Sequence, residues 1–125
     1  TKKSYFSKVK CIYVNDQNDV VSFYRQCDVF IYLSTIEGFG LPPLEAMACG
    51  CVVLLTDSGG VMEYAIDGFN SFIVTELKED IINKLELLLN NKSLMQQTSI
   101  NAAYASRNYS IEKMLSSYVD YISIY

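Results

Sequence analysis

Along the chain, short continuous apolar runs alternate with stretches in which apolar residues recur every three or four positions. Residues 9–14, VKCIYV, are rich in β-branched and aromatic side chains and end at the turn-forming NDQND, so they read as a strand entering a loop. Asp16 is then a candidate N-cap. Over 18–27, Val20, Val21, Phe23, Tyr24 and Cys27 recur at helical spacing, with Asp19, Ser22 and Arg25 on the polar face. Residues 28–34, DVFIYLS, and 51–56, CVVLLT, are nearly unbroken apolar runs, the pattern of strands covered on both faces of a parallel sheet. The interval between them holds a turn and a helix of about three turns.

After DSGG the pattern predicts a short helical piece over 61–65, the turn IDGFN, and a third strand over 71–75. The rest is helical. ELKEDIINKLELLLNN places Leu77, Ile81, Ile82, Leu85, Leu88 and Leu89 on one face, SLMQQTSINAAYASRNY is weaker, and SIEKMLSSYVDYISIY carries a further apolar stripe. No linker, repeat or low-complexity segment interrupts the order. Strand, turn, helix, strand is a parallel crossover unit, so the fold class is α/β: a Rossmann-like parallel sheet with flanking helices.

Composition narrows the picture. At 125 residues and 50% hydrophobic, the chain supports one domain with a core. A net charge of −4 with no Lys/Arg cluster gives no field for a phosphodiester backbone, and no nucleic-acid partner is expected. Cys11, Cys27, Cys49 and Cys51 sit in apolar runs and read as reduced, buried thiols. With no histidine and no second cysteine pair, they predict no metal site. No Asp-x-Asp motif calls for Mg²⁺, and no cofactor is expected. The apolar runs fall short of a membrane span and the N-terminal TKKSYFSKVK lacks a signal peptide's apolar segment, which with the thiols predicts a cytoplasmic location. The chain begins without Met and runs quickly into a strand, and we expect it to be part of something longer.

In open parallel sheets, ligands bind at the carboxyl ends of the strands. Three loops sit at such ends: VNDQND, TDSGG, and the stretch STIEGFGLPPLEAMACG, residues 34–50. In the last, Gly38 and Gly40 permit positive φ or a close approach to a ligand, and Pro42 and Pro43 fit a first helical turn, so a helix begins near Leu41. The free donors there are the N–H groups of Phe39, Gly40, Leu41 and Leu44, at the positive end of the helix dipole. That is an anion site suited to a phosphate. Glu37 and Glu45 flank it. Carboxylates repel phosphate unless they accept from hydroxyls, and a nucleotide sugar carries hydroxyls on both sides of its diphosphate. Taken singly, either acid is also explained without function: Glu45 by the helix dipole, worth about 0.3–1 kcal/mol, and Glu37 as an ordinary loop acid.

The segment DVFIYLSTIEGFGLPPLEAMACGCVVLLTDSGGVMEY, with YRQCDVF before it and DGFNSFIV and a helical tail after it, resembles the donor-binding segment of group 1 (family 4) glycosyltransferases, retaining enzymes of the GT-B fold. Their Glu-x7-Glu signature falls on Glu37 and Glu45. The resemblance implies that Glu37 contacts hydroxyls of the transferred sugar and acts in catalysis, and that Glu45 holds the ribose. Gly38 and the backbone of Phe39, Gly40 and Leu41 would meet the sugar and diphosphate. Val14, Asn15 and Asp16 would line the base pocket, and Gly59 and Gly60 would border the sugar end. The chain departs from the family at Tyr13, where a glycine is common, and at Met62, where a proline often precedes the glutamate matching Glu63.

The resemblance further implies that residues 1–125 are a partial C-terminal donor-binding domain, without the N-terminal acceptor domain and without the upstream basic residues that neutralise the leaving diphosphate; Lys8, Lys10 and Arg25 do not replace them by position. The expected activity is transfer of a sugar from a nucleotide sugar to a carbohydrate or lipid-linked acceptor in polysaccharide or glycolipid synthesis, with the full-length protein peripheral at the inner membrane face and this portion inactive alone. Two other readings stay open: a sugar-nucleotide epimerase of the same fold, and a non-catalytic donor-binding subunit that docks on a partner chain. Tyr104, Tyr109, Tyr118, Tyr121 and Tyr125 are read as packing between helices, and the stripe of the last helix predicts self-association.

Overall fold

The structure, a computed structural model, describes residues 12–110 together with Glu112, Lys113, Ser116 and Val119. Helix α1 (Gln17–Gln26) starts at Asp16, whose backbone is extended and whose Oδ1 accepts the Asn18 N–H at 3.0 Å. Then follow β1 (Val29–Tyr32), α2 (Leu41–Ala48), β2 (Val52–Leu55), a 3₁₀ turn (Gly60–Glu63), β3 (Phe72–Ile73), α3 (Lys78–Leu89), α4 (Lys92–Ser106) and a second 3₁₀ turn (Arg107–Tyr109).

The three described strands pair in the order β1-β2-β3, all parallel, with Val29 opposite Val52 and Leu55 opposite Ile73. Every residue of β2 is fully buried, as its unbroken apolar run requires. Its side chains alternate between two clusters. Val53 and Leu55 join Tyr24, Leu44, Met47, Val61, Tyr64 and Ala102, whereas Val52 and Leu54 join Phe72, Val74 and Leu88. Helix α2 lies close to α4 through the small residues Ala46 and Ala102, and the Ser99 hydroxyl donates to the Gly50 carbonyl at 2.6 Å.

The α/β parallel fold is the expected one, and several local expectations need correction. The helical piece over 61–65 is a single 3₁₀ turn, and the third strand keeps two residues in the ladder, with the Val74 N–H extending it by one bond to Leu55 O at 2.9 Å. On α3 the stripe that faces the core is narrower than drawn: Ile81, Leu85 and Leu88 pack on the sheet, while Leu77, Ile82 and Leu89 are exposed. Positions 81, 85 and 88 follow one helical face, and the other three flank it or, for Leu77, precede the helix as its N-cap. Cys51 is buried as expected and Cys49 half-buried, but Cys27 is exposed, because it caps the end of α1 where the chain turns away. Tyr104 projects from α4 and is 71% exposed, so it does not pack between helices. Of the strand expected over 9–14, Ile12, Tyr13 and Val14 lie in no strand; its remaining residues, Val9, Lys10 and Cys11, lie outside the described residues, as does Lys8. So do Tyr118, Tyr121, Tyr125 and most of the final apolar stripe, and with them the expected self-association.

Burial pushes the Tyr24 hydroxyl up to about 12, with the Glu45 carboxylate adding, and pushes the Cys51 thiol up to about 11. Burial also raises Tyr64, beyond the range of ordinary phenols. Each of these groups is neutral when protonated, so the fold retains protons that the unfolded chain gives up near its ordinary values of 9.0 and 10.0. Their contribution to stability is fully present below those values and is lost as pH rises through the folded ones. The expected outcome is a urea midpoint that declines from about pH 9 upward, with a shallower decline in Tyr24→Phe; circular dichroism at a series of alkaline pH values checks both.

Candidate functional site

Two loops meet where β1 and β2 end. The Glu37 N–H donates to Ser58 O at 2.9 Å, the Gly60 N–H donates to Glu37 O at 3.2 Å, and Glu37 and Gly59 form a one-residue parallel bridge. The Thr56 hydroxyl donates to Ser34 O at 2.6 Å, tying the two loops together one step earlier. Gly60 is pressed against the other loop: a Cβ there would lie 2.0 Å from Gly38 O and 2.7 Å from Phe39 N. Backbone therefore meets backbone with no room for a side chain. Gly38 itself has nothing within 4 Å of such a Cβ and stands open.

The chain enters α2 through Gly40, which is buried at φ +83°. A Cβ at Gly40 would come within 2.6 Å of Val61 Cγ1, and the Gly40 carbonyl accepts from the Tyr64 hydroxyl at 2.5 Å. Phe39, Tyr64 and Tyr109 form a mutual ring cluster with centroids 5.4 to 6.0 Å apart, and the Tyr109 hydroxyl donates to Glu63 O at 2.7 Å. Because Pro42 and Pro43 occupy the first turn, they present no N–H. Among the described residues, the backbone N–H groups of Gly38, Phe39, Gly40 and Leu41 donate to no acceptor. They sit at the positive end of α2, which makes this turn an acceptor-seeking cradle.

The two carboxylates belong to different surroundings. Glu37 is half-buried, and its Oε1 accepts from both the Tyr32 hydroxyl and the Ser34 hydroxyl, the latter at 3.0 Å. That bond to the carboxylate raises Tyr32 above its ordinary value. Glu45, past the first turn of α2, is half-buried on the side of α1, where its charge adds to the rise of Tyr24. The structure thus gathers Glu37, Gly38, Phe39, Gly40, Leu41, Gly59 and Gly60 into one turn, with Glu45 on the helix that leaves it. It does not join the third loop to them: among the described residues no hydrogen bond links Val14 or Asn15 to this turn.

Tyr32, Ser34, Tyr64 and Tyr109 were not among the expected site residues. Tyr32 reads as one more apolar strand position, and its tie to Glu37 depends on how the turn folds back. Ser58 is a further surprise, since its hydroxyl is buried without a partner among the described residues. A cavity of about 360 Å³ opens at the carboxyl ends of all three strands, lined by Ser34, Thr56, Asp57, Thr75 and Asp80. A larger one of about 480 Å³, lined by Asp28, Gly50, Leu88, Lys92 and Met95, lies at the opposite end of the sheet and touches none of the predicted site residues. Among the described residues no three His, Cys, Asp or Glu side chains are placed to hold a metal ion, and no helix is long and apolar enough to cross a membrane.

Comparison with known proteins places this geometry in context. A family model described as glycosyl transferases group 1 matches residues 2–105. The chain is 32% identical over 112 residues to an uncharacterised glycosyltransferase of Methanocaldococcus jannaschii, covering 89% of this chain and 32% of that protein. It is 31% identical over 98 residues to the N,N'-diacetylbacillosaminyl-diphospho-undecaprenol alpha-1,3-N-acetylgalactosaminyltransferase of Campylobacter jejuni, covering 78% of this chain and 26% of that protein. The chain therefore spans about a third or less of the length of these relatives. Among solved structures, the C-terminal domain of a group 1 family glycosyl transferase from Francisella tularensis superimposes with a TM-score of 0.75 at 32% identity, covering 88% of this chain and 63% of that one. Anabaena HepE, solved in complex with UDP-glucose, superimposes with a TM-score of 0.77 at 26% identity, covering 86% of this chain and 30% of that one.

A crowded glycine and the open one make a local test. Gly60→Ala must push the Gly38 and Phe39 backbone aside, and is expected to cost about 1–3 kcal/mol, as overpacking does. Gly38→Ala meets no neighbour and is expected to leave the melting temperature within about a degree of the parent. Thermal unfolding of the two variants checks the contrast, and equal losses would show that the loops do not pack as described.

Proposed function

The chain belongs to the group 1 glycosyltransferases, and from that membership we propose that it forms the donor-binding part of a retaining enzyme that transfers a sugar from a nucleotide sugar. Residues 1–125 are, on this reading, part of the C-terminal domain of a GT-B enzyme, and an N-terminal domain supplies the acceptor side of the cleft. The similarity to a Campylobacter enzyme named for transfer to a diphospho-undecaprenol-linked sugar supports a carbohydrate or lipid-linked acceptor, handled at the cytoplasmic face of the membrane. The similarity to a protein solved with UDP-glucose supports a nucleotide-sugar donor.

The observation that carries the reading is the turn at the start of α2, where four adjacent backbone N–H groups lack acceptors among the described residues, with Glu37 just before the turn in the chain and Glu45 in the helix after it. A diphosphate accepts from such donors at the positive end of the helix and gains most as charge develops on the leaving oxygen. Glu37 is the acceptor for hydroxyls of the transferred sugar, and it favours the positive charge that grows at the sugar carbon as the bond to the diphosphate breaks. Glu45 holds the ribose. Phe39, Gly40 and Leu41 meet the diphosphate through their backbone, while Gly38, Gly59 and Gly60 border the sugar, Gly38 standing open to it and Gly60 letting the two loops close on each other. Val14 and Asn15 line the base side.

The experiment separates the two acids in the full-length enzyme. Glu45→Gln is expected to weaken nucleoside diphosphate and nucleotide sugar alike by about tenfold, the worth of a hydrogen bond to a charged group. Glu37→Gln is expected to leave diphosphate affinity intact and to lower kcat by a similar factor or more. Calorimetry with UDP, GDP and ADP, together with steady-state kinetics, checks both. Equal loss of diphosphate affinity in the two variants, or no effect in either, would remove the assignment.

A further inference from the structure

We propose that Tyr32 is a positioning residue for Glu37: its hydroxyl and that of Ser34 fill one carboxylate oxygen, so Glu37 meets the transferred sugar through the other, Oε2. The inference rests on the reading of Glu37 as the sugar contact and adds to it which atom does the work and what holds it there.

A carboxylate oxygen has two lone-pair directions. Oε1 of Glu37 receives two hydroxyl donors from the chain itself, Tyr32 and Ser34, and is saturated. Both donors are fixed. The Tyr32 ring stacks on Phe30 at 6.1 Å between centroids, and Phe30 in turn meets the Tyr24 ring edge-on at 5.3 Å. Ser34 is held through its carbonyl by the Thr56 hydroxyl at 2.6 Å. The Glu37 backbone is held at both ends by the bonds to Ser58 and Gly60. With backbone and one oxygen both pinned, the glutamate keeps little rotamer freedom to lose when a sugar arrives, which is how a supporting side chain preorganises a reacting one. The Tyr32 proton stays in place at neutral pH, since the carboxylate beside it disfavours the phenolate.

The test is a double-mutant cycle in the full-length enzyme, with Tyr32→Phe keeping the ring and Tyr32→Leu removing it. Tyr32→Phe is expected to lower kcat about tenfold while leaving the melting temperature and the affinity for UDP, GDP or ADP unchanged. In the Glu37→Gln background the same substitution is expected to cost little more, because the partner that it positions no longer acts as a carboxylate. Tyr32→Leu is expected to add a loss of melting temperature that Tyr32→Phe does not show. If Glu37→Gln lowers turnover but Tyr32→Phe is silent, or costs as much in both backgrounds, the positioning role falls and the donor-site reading stands. If Glu37→Gln leaves kcat intact, both fall together.

Discussion

The contact on which the rest of the site depends is backbone against backbone, Gly60 on Gly38 and Phe39. It lets the loops after β1 and β2 lie closer than any side chain allows, and it turns Glu37 into the rung of a short parallel bridge. The bonds that close it, Glu37 N–H to Ser58 and Gly60 N–H to Glu37, are worth about 0.5–1.5 kcal/mol each, and the glycines bury almost no apolar surface. Two such bonds do not immobilise a loop of this length against the entropy of about 1–2 kcal/mol per ordered residue. The stabilisation has to come from the neighbours.

It comes from rings. Phe39 carries its side chain out of the glycine turn into the cluster with Tyr64 and Tyr109, and those tyrosines spend their hydroxyls on the backbone of the same region, Tyr64 on Gly40 and Tyr109 on Glu63. Tyr109 follows α4, more than forty residues beyond the turns it braces. Helix α4 is in turn fixed by its close approach to α2 and by the Ser99 to Gly50 bond. The end of the described chain thus closes onto the beginning of α2, and the geometry of the cradle is set by tertiary packing as much as by its own glycines.

This division explains what the sequence disclosed. Strand β2 was legible because it is covered on both faces, which writes an unbroken apolar run. The equally apolar run of β1 marked a strand but overstated its cover, since Ile31 is exposed. The start of α2 was legible because two prolines and two glycines leave few other conformations. The α4 helix was legible only weakly, since it buries small residues, Thr98 and Ala102, and small residues make no visible stripe. The width of the α3 stripe was overdrawn because periodicity marks every apolar residue near a face, whereas the sheet covers only the line through Ile81, Leu85 and Leu88. In the site, the two acids and the glycines were readable from spacing. Tyr32 was not, because a tyrosine in a strand looks like core until the following turn brings Glu37 back to its hydroxyl. Tyr109 was read as interhelical packing, and its hydroxyl proves to serve a loop.

The acids pose a question of charge. On the donor-site reading, two carboxylates beside a cradle that receives an anion oppose it, by about 1 kcal/mol per pair at 4 Å even in water and by more where water is excluded. The structure answers by giving each carboxylate a phenol. Glu37 has Tyr32 and Ser34 on one oxygen, and Glu45 has the Tyr24 hydroxyl on its side of α1. Hydroxyl dipoles aimed at a carboxylate draw its negative potential toward themselves and away from the turn that holds the unpartnered N–H groups. The shifts of the tyrosines record this from the other side: Tyr24 and Tyr32 both resist ionisation, in part because a carboxylate is their neighbour. Neutral donors suit that reading, since a lysine or arginine in their place would cancel the acid's charge, compete with sugar hydroxyls for its oxygens and draw a phosphate to itself. On the donor-site reading, an anion and a polyol are held side by side by tyrosine, serine and backbone, without a cation at either acid among the described residues.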